Sequence, residues 1–219
     1  MAIQNYILIV ESALLLVLSL YVLLRNPGNA INRSFAVFTF GASVWVFSNA
    51  TDYVAVSTFL LKLTYIGAIL IAAGLLYFSI YFPFQQLRLS RIIHTFITLP
   101  GILLSLLLIF TPLFIDHITG DGKSAVFGPI YHVFNVYFII YWIIGATFFI
   151  KKYRIADGLH RWQLKMIFWA MIFSLVAGII TNLILPWVFD IWTFGWVGPM
   201  FSIIYFGFTA YILFKKDVA

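Results

Sequence analysis

KKYRIADGLHRWQLK, residues 151–165, gathers Lys151, Lys152, Arg154, Arg161 and Lys165 between two runs, Ile130 to Ile150 and Met166 to Val188, that contain no Lys, Arg, Asp or Glu. Each run has about the 20 apolar residues that a helix needs to cross roughly 30 Å of hydrocarbon. Lys and Arg in short loops stay on the cytoplasmic side of a bilayer, so this stretch reads as an inner connection between two spans of opposite direction.

Outward from it the pattern repeats. Five further apolar runs, Ile3 to Leu24, Ser34 to Thr51, Thr58 to Phe82, Ile92 to Ile115 and Thr193 to Phe214, bring the expected spans to seven. Arg25, Arg33, Arg88, Arg91, Lys215 and Lys216 fall at the same alternate boundaries as the 151–165 cluster, whereas the other side holds only Lys62 and Lys123. The expected architecture is therefore an all-α, polytopic seven-helix transmembrane bundle, with the N-terminus outside and the C-terminus cytoplasmic. Short connections leave residues 1–219 as a single membrane domain.

Composition excludes a soluble fold: 63% of the 219 residues are hydrophobic and 9% charged, against about 45–50% and about 25% in an average soluble domain. The formal net charge of +6 could point to nucleic acid, but juxtamembrane basic residues attract anionic lipid headgroups. The bilayer is the expected partner and no nucleic acid is expected. The chain has no cysteine, which removes disulfides, thiolate catalysis and Cys-based metal sites. Met1 to Ser12 lacks a basic n-region and contains Glu11, so the first run reads as a retained helix rather than a signal peptide.

Within this frame, DHITGDGKSAVFGP (116–129) has turn chemistry and reads as a tight outer reversal. Lys151 to Lys165 and Pro83 to Arg91 read as the longer inner loops. Pro83 and Pro186 are expected to end the third and sixth helices, while Pro100, Pro112 and Pro199 fall inside spans, where a missing N–H bends a helix. The small residues Gly41, Ala42, Ser43, Gly67, Ala68, Ala72, Ala73, Gly74, Ser174, Ala177 and Gly178 mark close helix packing and place the third span inside the bundle. Most of the seven Trp read as an interfacial belt.

Polar residues are costly in hydrocarbon, so they nominate the site. Glu11 lies about 12 Å into the first helix from Ile3 at about 1.5 Å per residue. Lys62 lies at a compatible depth on the third, and a salt bridge between them would neutralise both. Asn49, Asp52, Tyr65, His132, Asn135 and Asn182 have similar depth. If their faces converge, they form a cavity opening outward. Trp192 and Trp196, at i and i+4, would share a wall of it. These ten residues are the expected ligand-binding or coupling set, with interhelical hydrogen bonding as the structural alternative. His117, Asp116, Asp121 and His132 match no metal-ligand spacing, so no metal is expected.

No HExxH, GxSxG or phosphate loop occurs, and no enzyme is expected. No resident cofactor is expected either: a retinal-type photoreceptor would need a lysine within the seventh span, and Thr193 to Phe214 has none.

Several segments together resemble a known family. Asn32-Arg33-Ser34-Phe35 leading to Trp45, Phe82-Pro83 after the third span, Arg161-Trp162-Gln163-Leu164 leading to Asn182 and Leu185-Pro186, and Gly198-Pro199 with Ala210-Tyr211-Ile212 resemble the seven-helix N-terminal input domain of bacterial sensor histidine kinases. The resemblance implies a receptor domain in a bacterial inner membrane that senses a small-molecule, peptide or lipid ligand and signals through its seventh helix. The implied partners are a cytoplasmic kinase or cyclase module, fused or separate, and a second copy of the chain in a homodimer. A kinase's phosphoacceptor His and ATP-binding segments do not occur in the 219 residues, so a sensor domain cut from a longer protein and a sensor with a separate partner are both expected. The family supplies no universal ligand, so the site rests on the outer polar set. The alternative is a small transporter with Glu11 as its coupling carboxylate.

Overall fold

The computed structural model describes residues 3–52, 57–84, 89–118, 125–189, 191, 194 and 196–215. Its helices are α1 (Ile3–Arg25), α2 (Ala30–Asp52), α3 (Thr58–Tyr81), α4 (Arg91–Phe110), α5 (Ile130–Ile155), α6 (Gly158–Ile179), α7 (Leu185–Phe189) and α8 (Val197–Lys215). A π turn at Ile180–Ile184 joins α6 to α7, making one helical rod and seven rods among the described residues. Six of the described helices are long and apolar enough to cross a membrane. The first two turns of α6 are less so, because they carry Arg161, Gln163 and Lys165.

α1 and α2 run antiparallel, and so do α3 and α4, as paired residues at both ends establish. Asn5 meets Ala50 and Ser19 meets Ala36 across α1 and α2. Lys62 meets Ile109 and Tyr77 meets His94 across α3 and α4. Arg25 lies over the ring of Phe214, and Lys152 lies against the turn after α3. One end of the bundle thus collects the basic helix termini.

The loop expected at 151–165 is almost wholly helical. α5 runs on to Ile155 and α6 starts at Gly158, so the chain reverses within Ala156 and Asp157. Gly158 has φ of 51°, a left-handed conformation that costs glycine little and other residues more. Lys and Arg are good helix formers, and no hydrocarbon edge obliges a helix to stop where its apolar run stops. α4 is shorter than expected, ending at Phe110 because Thr111 precedes Pro112 and takes the extended conformation (φ −131°, ψ 157°) that proline imposes on its neighbour. Pro112 therefore lies beyond the helix. Pro199 falls in the first turn of α8, where no intrahelical N–H bond is lost. Pro186 does not end the sixth rod: the π turn precedes it, and Leu185–Phe189 continues through it.

The reversal expected at 116–129 is a two-stranded hairpin, a small β addition to the helical fold. β1 (Ile115–Ile118) pairs antiparallel with β2 (Ala125–Phe127), and a register shift falls at Asp116. Gly120, Asp121, Gly122 and Lys123 lie outside the described residues.

α3 is the spine. Ile71, Leu75 and Phe78 on one face join a cluster with Leu8, Leu15, Phe35, Phe38, Leu164, Met171, Tyr205 and Phe206. Ile69, Ala72, Leu76 and Ile80 on the other join Leu104, Leu108, Phe114, Phe134, Tyr137 and Tyr141. Each set recurs every three or four residues, as a helix presents a face. α2 approaches most closely. A Cβ on Gly74 would lie 2.6 Å from Phe38 Cα, and one on Gly67 would lie 2.7 Å from Trp45 N. Of the other small residues, Gly178 has nothing within 4 Å of such a Cβ and marks no close crossing. Trp45 and Trp142 are both partly buried against the first cluster.

Gly74→Leu is expected to force α2 from α3 and cost about 1–3 kcal/mol. Gly178→Ala is expected to be neutral or stabilising by up to about 1 kcal/mol. Unfolding in mixed detergent micelles, followed by circular dichroism, measures both.

Candidate functional site

The polar interior begins with a repeat on α1. Asn5, Ser12 and Ser19 are spaced by seven residues and meet α2 at Ala50, Ser43 and Ala36, spaced by seven in reverse. Asn5 Nδ2 donates to the Ala50 carbonyl at 3.1 Å. The Ser12 and Ser43 hydroxyls each donate to the other's carbonyl, at 3.0 and 2.8 Å. Ser19 Oγ donates to the Ala36 carbonyl at 2.8 Å. A seven-residue repeat keeps one seam facing its partner along the whole helix, and the small hydroxyls let the backbones approach.

Glu11 sits beside this seam and turns toward α8. It is the chain's sole glutamate and is 3% exposed. Its Oε1 accepts from Ser202 Oγ at 3.0 Å and from the Ile203 backbone N–H at 3.1 Å. Oε2 is buried without a hydrogen-bond partner among the described residues. The Tyr205 and Thr209 hydroxyls, one and two turns further along α8, are buried without a bond of standard length. The carboxyl therefore ties α1 to α8 at a point where Glu11 and Ser202 are both buried. α1 and α8 lie parallel, since Tyr21 packs its ring edge on Phe214 nearer the basic end.

Lys62 does not pair with Glu11. Its Nζ donates to the Ile109 carbonyl at 2.9 Å, one of the last four carbonyls of α4, which lack intrahelical donors. α3 presents Lys62 to α4, whereas α1 presents Glu11 to α8, so the expected salt bridge is replaced by two separate ties.

The other expected residues scatter. Asn49 folds back on its own helix, donating to Trp45 O at 2.7 Å. Tyr65 is surrounded by Phe114, Phe127, Tyr131 and Phe134 beneath the hairpin. His132 is exposed and Asn135 half-buried on α5. Trp196 packs against the cluster that contains α1 and α8. Asn182 lies in the π turn and Asp52 ends α2, but their side chains, like Trp192 altogether, lie outside the described residues. Glu11 and Trp196 thus belong to the α1–α8 side, and Lys62 and Tyr65 to the α3–α4 side.

Sequence reasoning passed over Ser202, the partner of Glu11, and the Asn5, Ser12, Ser19 repeat, whose spacing was the available signal. It also grouped Lys152 with the solvated loop cations. Lys152 is 3% exposed and donates to the Ile80, Phe82 and Phe84 carbonyls at 2.6, 2.8 and 3.1 Å. An ammonium has three donors, and here they join the last turn of α3, where the helix dipole favours a cation, to the turn that follows it. Beside it, Phe84 also packs on His160, whose Nδ1 is 3.2 Å from the buried Gln163 Oε1.

Lys152→Met is expected to cost about 1.5–3 kcal/mol, the range for a hydrogen-bonded charged group. Ser202→Ala is expected to cost only about 0.6 kcal/mol, typical of one interhelical bond in a membrane. Denaturant titration in micelles separates them.

Neither the curated proteins nor the solved structures include a match to this chain. A family comparison does: the N-terminal 7TM region of histidine kinase matches residues 7–216, which takes in α1 from its second turn, every connection and α8. Seven helical rods, a polar seam inside them and a match of this extent agree, and the chain belongs to the family of N-terminal seven-transmembrane regions of histidine kinases, a multi-pass membrane sensory domain.

Proposed function

We propose that this domain senses a ligand arriving from outside the cell or from within the bilayer, and reports it by moving α8 relative to α1. The observation that carries the reading is the Glu11 tie to Ser202 and Ile203. A buried carboxyl costs free energy in hydrocarbon, and here it is held on the helix that leads to Lys215 at the basic end. A ligand shifts such a junction only by binding one arrangement more tightly than the other. With Oε1 doubly engaged and Oε2 without a partner, the carboxyl can exchange donors as α8 slides or turns. The N-terminus lies outside and the basic end is cytoplasmic in a bacterial inner membrane, which directs α8 at a kinase or cyclase module, fused or separate.

With α8 joined to a kinase whose phosphorylation is read by a reporter, Glu11→Leu and Ser202→Ala are expected to change ligand-free output severalfold, and Gly178→Ala to leave it unchanged. Unaltered output from both α1–α8 variants rejects the tie as the coupling element. Substrate flux in proteoliposomes that Glu11→Gln abolishes would replace the receptor reading with a transporter.

Orientation is tested separately. Because the chain lacks cysteine, Ser90→Cys and His117→Cys each give one labelling site. An impermeant maleimide on intact cells is expected to label position 117 and spare position 90, and the reverse pattern inverts the topology.

A further inference from the structure

α5 carries two adjacent lysines with opposite surroundings. Lys152 turns inward and spends its donors on the carbonyls of Ile80, at the end of α3, and of Phe82 and Phe84 in the turn that follows. Lys151 is exposed, and among the described residues no hydrogen bond or ion pair holds it. It stands at the end of a shallow groove lined by Ile144, Thr147, Phe148 and Lys151. These positions recur at three, four and seven residues, hence on one face, over about 10 Å of helix.

The groove lies along α5, on the basic-end side of its contacts with α4. Gly101 brings the two helices together at Tyr137, and the Tyr141 hydroxyl bonds the Ile97 carbonyl at 2.7 Å. One turn nearer the basic end, Ile144 is already exposed, as are Ile92, Ile93 and Phe96 on α4. The floor is apolar and at hydrocarbon depth. Its basic edge has Lys151 and, one turn on, exposed Arg154. An apolar channel that ends in two cations at the membrane surface matches an acyl chain joined to an anionic headgroup.

We propose that this groove binds an anionic phospholipid, with an acyl chain against Ile144 and Phe148 and the phosphate against Lys151 and Arg154. The site shares no residue with the Glu11 tie.

The test places the 219-residue chain in nanodiscs of mixed phosphatidylglycerol and phosphatidylcholine and measures co-purified lipid by mass spectrometry after detergent extraction. The unaltered protein is expected to retain phosphatidylglycerol preferentially. Lys151→Gln with Arg154→Gln is expected to lower that preference by at least about fivefold, while Lys151→Arg with Arg154→Lys keeps it. Ile144→Trp, which fills the groove without altering charge, is expected to reduce retention of both lipids. Equal retention of the two lipids by the unaltered protein overturns the proposal, and so does undiminished preference in the double Gln variant. An equal loss in Arg33→Gln, a basic-end residue away from the groove, also overturns it, because the preference would then belong to the basic end as a whole.

Discussion

The constraint on which this structure depends is the backbone carbonyl in hydrocarbon. Without water, each polar group must find a protein partner, and side chains that cannot reach water look for one too. Here the solution recurs: a side chain on one helix donates to a main-chain carbonyl on the next. Asn5, Ser12, Ser19, Lys62, Tyr137, Tyr141, Lys152 and Ser174 all do so. A carbonyl has two lone pairs, so the acceptor helix keeps its own ladder while it gains a tie to its neighbour. Side chain to side chain bonds are the minority, and the Glu11 to Ser202 bond is therefore distinctive.

These ties work because the backbones are close. Gly67 and Gly74 bring α3 against α2, Gly101 brings α4 to Tyr137, and the serines of α1 let it settle on α2. Dispersion contacts do the rest, since lipid offers no hydrophobic drive between helices. α3 contributes one face to each apolar cluster, so both sides of the bundle pack against a single helix.

Much of this was legible in the residues. Apolar run length gave the rods, and the small residues at 41, 67 and 74 marked close packing and an interior third span, although not that α2 is the helix that α3 meets there. Helix ends were less legible, because composition records where hydrocarbon stops and not where the backbone stops: α5 and α6 continue through 151–165, while Pro112 cuts α4 short. The depth of Glu11 was readable, but its partner was not. Depth along a helix follows from counting, whereas direction around it requires knowing which neighbour lies there, and sequence order does not place α8 beside α1. The same gap hid Lys152, whose charge resembled that of Lys151 although one points inward and the other outward. His132 and Asn135 share a local face, yet that face turns partly away from the bundle.

The adjacency of α1 and α8 also sets an order of assembly. A chain made from its N-terminus inserts Glu11 first and Ser202 last, with more than 190 residues of synthesis between them. Through that interval the carboxyl has neither of its α8 donors, although the α1–α2 seam beside it can already close. The α1–α8 contact is thus the junction made last, and it adds a buried carboxyl tie to a first helix that the hydroxyl seam already holds against α2.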